Sequence, residues 1–222
     1  ALQQQRARLQ VATQATPAQA PQKVTEAAAF KLTAQYRKQG QGEFIPLTEG
    51  AALHSGNTYK FIVSSNVTRQ VYLFQQDSHG QIVRLFPMAE FAGRKLKHAN
   101  PMQANQTYFL PAEDFSFELD RNTGVETVYL KTANEPDILL ESFQNALSTA
   151  QSANDAATHA ALGRGLSHVL AYQAKGMVTH ALAADQAKPV QWQEGGTAFS
   201  AQPRQITDFC SDCTLMLRFR HE

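Results

Sequence analysis

The chain of 222 residues sets 20 Lys and Arg against 19 Asp and Glu, a net charge of +1, and 43% of it is hydrophobic, enough to build a core. Its cations are scattered, with no basic run beyond Arg94-Lys95 and the neighbouring Lys97, which excludes the concentrated positive face of a nucleic-acid groove or of a protein bound to an anionic membrane surface. No apolar stretch approaches the ~20 residues that span a bilayer, so membrane attachment is expected only through an anchor outside the chain.

Residues 1–26 are rich in Gln and Ala, contain Pro17 and Pro21, and offer only Leu2, Leu9 and Val11 as sizeable apolar side chains. They cannot bury a face. A frayed helix over Ala1–Gln14 and an extended linker over Thr16–Lys23, where proline restricts its neighbours, make this segment a flexible tether or a free terminus. The first residue is Ala, which fits a chain trimmed of a leader peptide and equally one cut by cloning. Export is therefore an expectation.

From Ala28 to about Thr132 apolar residues recur with a period of two, the mark of strands with one buried face. Phe30, Leu32 and Ala34 begin the series, Gly40-Gln41-Gly42 turns the chain, and Pro46 gives Phe44–Leu47 the character of an edge. The pattern is clearest over Gly56–Pro87. There Tyr59, Phe61 and Val63 point one way, Val71, Leu73 and Gln75 repeat it, and Ile82, Arg84 and Phe86 continue it after the turn Asp77-Ser78-His79-Gly80. An irregular connection over Met88–Asn105 leads to Tyr108–Leu110; Phe115, Phe117 and Leu119 alternate; and Val125–Lys131 follows the turn at Arg121–Gly124. About seven strands at such spacing predict a mainly β fold, a sandwich or a partly open barrel.

After Pro136 the period becomes helical. Leu139, Phe143 and Leu147, with Leu140 and Ala146 beside them, form one stripe of a helix starting near Asp137, whose carboxylate suits an N-terminus. Ser152-Ala153-Asn154-Asp155 opens a second helix that carries Ala157, Ala161, Leu166, Val169 and Leu170. Gly163 and Gly165 weaken its middle, so two short pieces are expected. Strand character returns in Val178, His180 and Leu182, in Val190 and Trp192, and in Leu215, Leu217 and Phe219. The expected whole is α+β: a tether over 1–26, then one β-rich domain over 27–222. Within that domain a β core spans 27–134, a helical segment packed on it spans 136–171, and C-terminal strands span 176–222.

The run Leu53-His54-Ser55-Gly56-Asn57-Thr58-Tyr59-Lys60-Phe61, followed by Val71 to Pro87 with its Asp77 and Gly80 turn and its Leu85-Phe86-Pro87 ending, resembles the bacterial family domain of unknown function 4384. Leu110-Pro111 and Gly124-Val125-Glu126 extend the resemblance, which covers about Glu49 to Asn134; Met88 departs from it where the family often has Asn. The resemblance implies a β domain of envelope, exported or multidomain signalling proteins, with no established catalytic residues to carry over. Turn chemistry alone also accounts for Asp77, Gly80 and Phe86-Pro87.

Cys210-Ser211-Asp212-Cys213 is the one chemically loaded spacing. It reads as a local disulfide before the last strand, as a redox pair if it sits at a helix N-terminus, as half of a zinc site with histidines such as His180 or His221, or as free thiols. Asp155 and His159 stand at i,i+4, the spacing of a base with an orienting carboxylate and equally of an ordinary surface pair. Glu113-Asp114, Glu118 and Asp120 read as solvated charges. No phosphate loop, nucleophile elbow or metalloprotease helix occurs in the sequence. Tyr72 and Phe74, opposite Val71 and Leu73, and Tyr129, opposite Val128 and Leu130, make those strands apolar on both faces; either the helical segment covers them or a partner does.

These readings lead to a non-enzymatic, exported binding or scaffold module, with no catalytic residues, cofactor or metal, in the periplasm or at the outer membrane. An accessory role in an envelope assembly such as a secretion apparatus is expected, with envelope proteins as partners and no nucleic acid. The alternative is a thiol-redox or small-ligand-binding periplasmic protein. Neither the partner's identity nor the oligomeric state is legible.

Overall fold

The structure, a computed structural model, describes residues 28–182, 188–206, 210 and 212–222, and the tether read at 1–26 lies outside the described residues. The chain runs through β1 (Phe30–Lys38), β2 (Gln41–Pro46), β3 (Ala52–Leu53), β4 (Thr58–Ser65), β5 (Gln70–Gln76) and β6 (Ile82–Phe86) before a small hairpin of β7 (Glu90–Phe91) and β8 (Arg94–Lys95). Then come β9 (Thr107–Leu110), β10 (Phe117–Glu118) and β11 (Gly124–Ala133), followed by α1 (Ile138–Ser152) and α2 (Ala156–Gln173). The remaining strands are β12 (Ala174–Gly176), β13 (Thr179–Ala181), β14 (Val190–Glu194), β15 (Thr197–Ala201), β16 (Arg204–Ile206) and β17 (Cys213–His221).

Two open sheets face each other, so the mainly β, α+β expectation is met by a sandwich and not by a closed barrel. The first sheet runs β10-β4-β1-β16-β13, with β2 beside β1 and β9 beside β4; the second runs β12-β17-β11-β5-β6, with β3 beside β17. Period-two alternation builds the core between them: Phe30, Leu32, Tyr59, Phe61 and Val63 come from the first sheet. Val71, Leu73, Val128, Leu130, Leu215, Leu217 and Phe219 come from the second. Each such side chain, when fully buried, contributes roughly 1.5–3 kcal/mol.

The expectation of one buried face is corrected for β4, whereas β5 and β11 are covered on both faces, in keeping with the two-sided character read from Tyr72, Phe74 and Tyr129. Gln70–Gln75 of β5 are all buried, as are Tyr59–Val63 of β4, because each sheet also carries an outer cover. On the second sheet Tyr72, Phe74, Ile82 and Tyr129 pack under Leu140, Leu147, Leu166 and Leu170 of the helices. On the first sheet Ile62 packs under Trp192, Phe199 and Ala201 of the β14–β15 hairpin. The result is four layers.

Local chemistry sets the helix boundaries. Asp137 caps α1 by accepting from the Leu140 N–H at 3.0 Å, as its carboxylate predicts. The buried stripe is Leu140, Leu147 and Ala150 with Phe143 beside it, and Leu139 is half exposed. Asp155 caps α2, not Ser152, by accepting from the Thr158 N–H at 3.0 Å. The expected break at Gly163 and Gly165 is absent, since α2 is one continuous helix. A Cβ at Gly163 would lie 3.4 Å from Ile82 Cγ2, and one at Gly165 only 3.2 Å from Phe143 Cε1. The two glycines therefore let α2 approach β6 and α1 closely, and that packing offsets their helix cost of about 1 kcal/mol each.

Other differences are confined to short elements. The irregular 88–105 connection contains β7 and β8, the alternating Phe115–Leu119 stretch forms only the two-residue β10, and β15 and β16 have no clear signal in the sequence.

Candidate functional site

The outer face of the first sheet concentrates buried charge. Lys60 on β4 faces away from the inter-sheet core and is 0% exposed; its Nζ donates to the carbonyl oxygens of Ala112 at 2.9 Å and Glu113 at 2.5 Å. Glu194, at the end of β14, supplies the counter-charge at 2.9 Å from Lys60 and at 2.5 Å from Arg37, and accepts from the Ser116 hydroxyl at 2.9 and 3.0 Å. The Arg37 guanidinium stacks 4.6 Å from the Phe44 ring centre and 5.0 Å from that of Phe199. Burial pushes the Lys60 ammonium below its usual range, while the Glu194 carboxylate pulls it back. Every charge in this group has a partner, and together they fasten the hairpin to the sheet.

A second polar group plugs one end of the inter-sheet core. Ser55 Oγ lies 3.0 Å from His221 Nε2, and His221 Nδ1 lies 3.6 Å from Glu126 Oε1. Gln75 donates to Glu126 Oε2 at 2.9 Å and accepts from the Tyr59 hydroxyl. The order Ser, His, Glu is that of a hydrolase relay, but such an enzyme also needs N–H donors aimed at a developing oxyanion. Here the N–H groups of Ser55, Gly56 and Asn57 are bonded to the carbonyl oxygens of Glu222, Leu119 and His54 at 3.3, 2.9 and 2.9 Å. The array is better understood as a tie between the β3–β4 loop, β11 and β17.

Burial raises the Glu126 carboxyl above its ordinary value of 4.5, with Asp77 adding to the shift and Gln75 and His221 opposing it. The folded state thus holds this proton more tightly than the unfolded chain does. Its contribution is fully present below about pH 4.5 and is lost as pH rises through the higher folded value. Glu126→Gln, which keeps an acceptor for Gln75, is expected to match the parent near pH 4 and to be the more stable of the two near pH 8. Thermal melts across that range would check it, and a variant less stable at pH 8 than at pH 4 relative to the parent would contradict it.

A cleft opens beside β1. Strand β1 pairs with β16 at Lys31 and with β2 from Gln35 onward; between these points Leu32–Ala34 pairs with β4 on one side, and on the other Ala34 O accepts from the Leu47 N–H at 2.9 Å. The gap forms a cleft of about 800 Å³ bounded by β1, β2, β13, β15 and the turn before β16. Thr33 and Gln35 stand on its floor, 2% and 6% exposed.

Cys210 and Cys213 lie within disulfide-bonding distance, with Cα atoms 5.7 Å apart. Cys210 precedes β17 and Cys213 opens it, so the pair does not sit at the helix N-terminus that the redox reading needs. Among the described residues no group of three or more His, Cys, Asp or Glu is arranged to hold a metal ion, and no helix is long and apolar enough to cross a membrane. Asp155 serves as the α2 cap, and Glu118 and Asp120 are exposed as read.

Tyr72, Phe74 and Tyr129, the three candidate partner contacts, are 1%, 1% and 4% exposed beneath α1 and α2. The helices occupy the face considered for a partner, because a chain buries its own apolar surface first; this corrects the placement of those residues on a binding surface. The Tyr72 hydroxyl instead accepts from the Asp137 N–H at 3.1 Å, fixing the start of α1. Apolar surface is left elsewhere on the helices. Ile138 is 79% exposed, Leu139 50% and Tyr172 93%. The helices are joined by only three residues, so the start of α1 and the end of α2 share the open end of this helical hairpin.

Sequence reasoning missed Lys60, Glu194, Gln35 and the Ser55–His221 pair. The one usable signal was Lys60 itself, a cation set within the apolar run Tyr59–Val63.

Residues 52–136 match the family Domain of unknown function (DUF4384). No curated protein and no solved structure matches the chain. The matched stretch holds β3 to β11 and leaves out β1, which pairs with β4 over eight register positions, and β17, which pairs with β11 over nine.

Proposed function

We propose that the chain is a non-enzymatic binding and scaffold module, exported to the bacterial envelope and serving an envelope assembly such as a secretion apparatus. The observation that carries this reading is the exposed apolar group Ile138, Leu139 and Tyr172 at the open end of the helical hairpin. Large apolar side chains exposed at one end of an element can serve as protein contacts, and an aromatic residue such as Tyr172 is a characteristic anchor. The Lys60–Glu194–Arg37 group and the Ser55–His221–Glu126–Gln75 array support the same reading, since both are engaged in holding elements of the fold together.

The test is a pull-down of the natively exported protein with its envelope partners, repeated with the double variant Ile138→Lys and Tyr172→Ala. A defined set of envelope-assembly proteins, retained by the parent and lost by a folded double variant, is the expected result. Recovery of none by the folded parent, or equal recovery by both, would refute the reading.

A further inference from the structure

We infer that the cleft beside β1 is a binding site for an uncharged, mostly apolar small molecule carrying one hydrogen-bonding group at its buried end. The cleft's volume of about 800 Å³ is that of a site for a drug-sized ligand. Phe44, Leu47, Met177, Leu182, Pro203 and Leu217 supply apolar walls, some from the outer face of the sheet and some from the edge of the core.

The floor identifies the buried end of the ligand. Gln35 and Thr33 are more than nine-tenths buried, both line the cleft, and neither side chain has a hydrogen-bond partner among the described residues. Their polar atoms are not sealed in the protein but open into the cleft, and an amide and a hydroxyl at the bottom of an apolar cleft are suited to a ligand group that both donates and accepts.

The two charged residues of the lining, Glu49 and Arg204, are both exposed at the rim. The Glu49 carboxylate already accepts from the Arg218 N–H at 2.8 Å and from Arg218 Nε at 3.2 Å. The Arg204 guanidinium already donates to Thr179 Oγ1 at 2.8 Å and Thr179 O at 3.0 Å. Arg204 keeps its charge, since Thr179 is neutral, but it is exposed at the mouth; the floor and walls carry no charged side chain, so a ligand ion reaching the floor would lose its hydration without a counter-ion there. This site is on the first sheet, whereas the helical hairpin covers the second, so the inference stands or falls apart from the partner reading.

The experiment is a fluorescence titration of the protein with N-phenyl-1-naphthylamine, a neutral probe with one N–H, and with its 8-sulfonate, which has the same rings and a negative charge. Saturable one-site binding of the neutral probe, at least tenfold tighter than the sulfonate, is expected. Ala181→Trp, an exposed position on the cleft wall, should abolish it. Gln35→Leu tests the floor. The parent should prefer the amine to 1-benzylnaphthalene, which has a methylene in place of the N–H, by about fivefold in displacement, and the variant should lose that preference. Far-ultraviolet circular dichroism confirms that each variant is folded. Absence of saturable binding, equal affinity for the sulfonate, or folded variants that bind and discriminate like the parent would each overturn the inference.

Discussion

Replacing Glu194 with Gln is expected to cost about 3–5 kcal/mol of unfolding free energy, the usual cost of removing one partner from a buried ion pair. The substitution keeps the shape and removes the only carboxylate within salt-bridge distance of Lys60 among the described residues. Lys60 is 0% exposed, so its ammonium would remain in the protein with only the Ala112 and Glu113 carbonyls for company, and Arg37 would lose its anion too. The loss is bounded because Lys60, already shifted down by burial, can release its proton. A double-variant cycle separates pairing from packing. Lys60→Met combined with Glu194→Gln should recover much of the loss, since an apolar side chain of similar length needs no counter-ion. Urea unfolding would measure the cycle, and simple additivity of the two single changes would rule out the pairing account.

The second large effect is expected at the helix–sheet layer. Leu166 is 0% exposed among Tyr72, Phe74 and Ile82, and Leu166→Ala should cost about 2–5 kcal/mol through lost burial and the cavity left behind. Tyr172→Ala, 93% exposed on the same helix, should lie within about 0.5 kcal/mol of the parent. This contrast assigns opposite roles to the two faces of α2: one completes the fold and the other is open to a partner. Comparable costs at Leu166 and Tyr172 would contradict that division.

The strands that build the inter-sheet core were legible because their alternation has a single physical cause, a pleat with one side toward the core. Tyr59, Phe61 and Val63 face it, as do Leu215, Leu217 and Phe219. What alternation could not reveal was the opposite side of the same strands. Lys60 appears polar in sequence and is buried, because its counter-ion comes from Glu194, 134 residues further along the chain. The helix break expected at Gly163 and Gly165 rested on backbone propensity, which tertiary packing against Ile82 and Phe143 overrides. Of the candidate site, Tyr72, Phe74 and Tyr129 were legible as apolar on the second face, with the helical segment as their favoured cover over a partner, since a chain buries its own apolar faces first. The cleft was invisible, because it arises where two strands distant in sequence, β2 and β16, both fall short of the middle of β1.

The position of β17 has a consequence for biogenesis. On a chain made or threaded from its N-terminus, β5 and β11 appear first, and the edge of β11 that receives β17 waits while two helices and five strands follow. An unpaired nine-position edge beside a finished partner is a template for any suitable strand. Between copies, an exchanged β17 would find the same pairings with β3, β11 and β12 in a swapped dimer. Early pairing of residues 213–221 with that edge therefore closes the route to such an exchange.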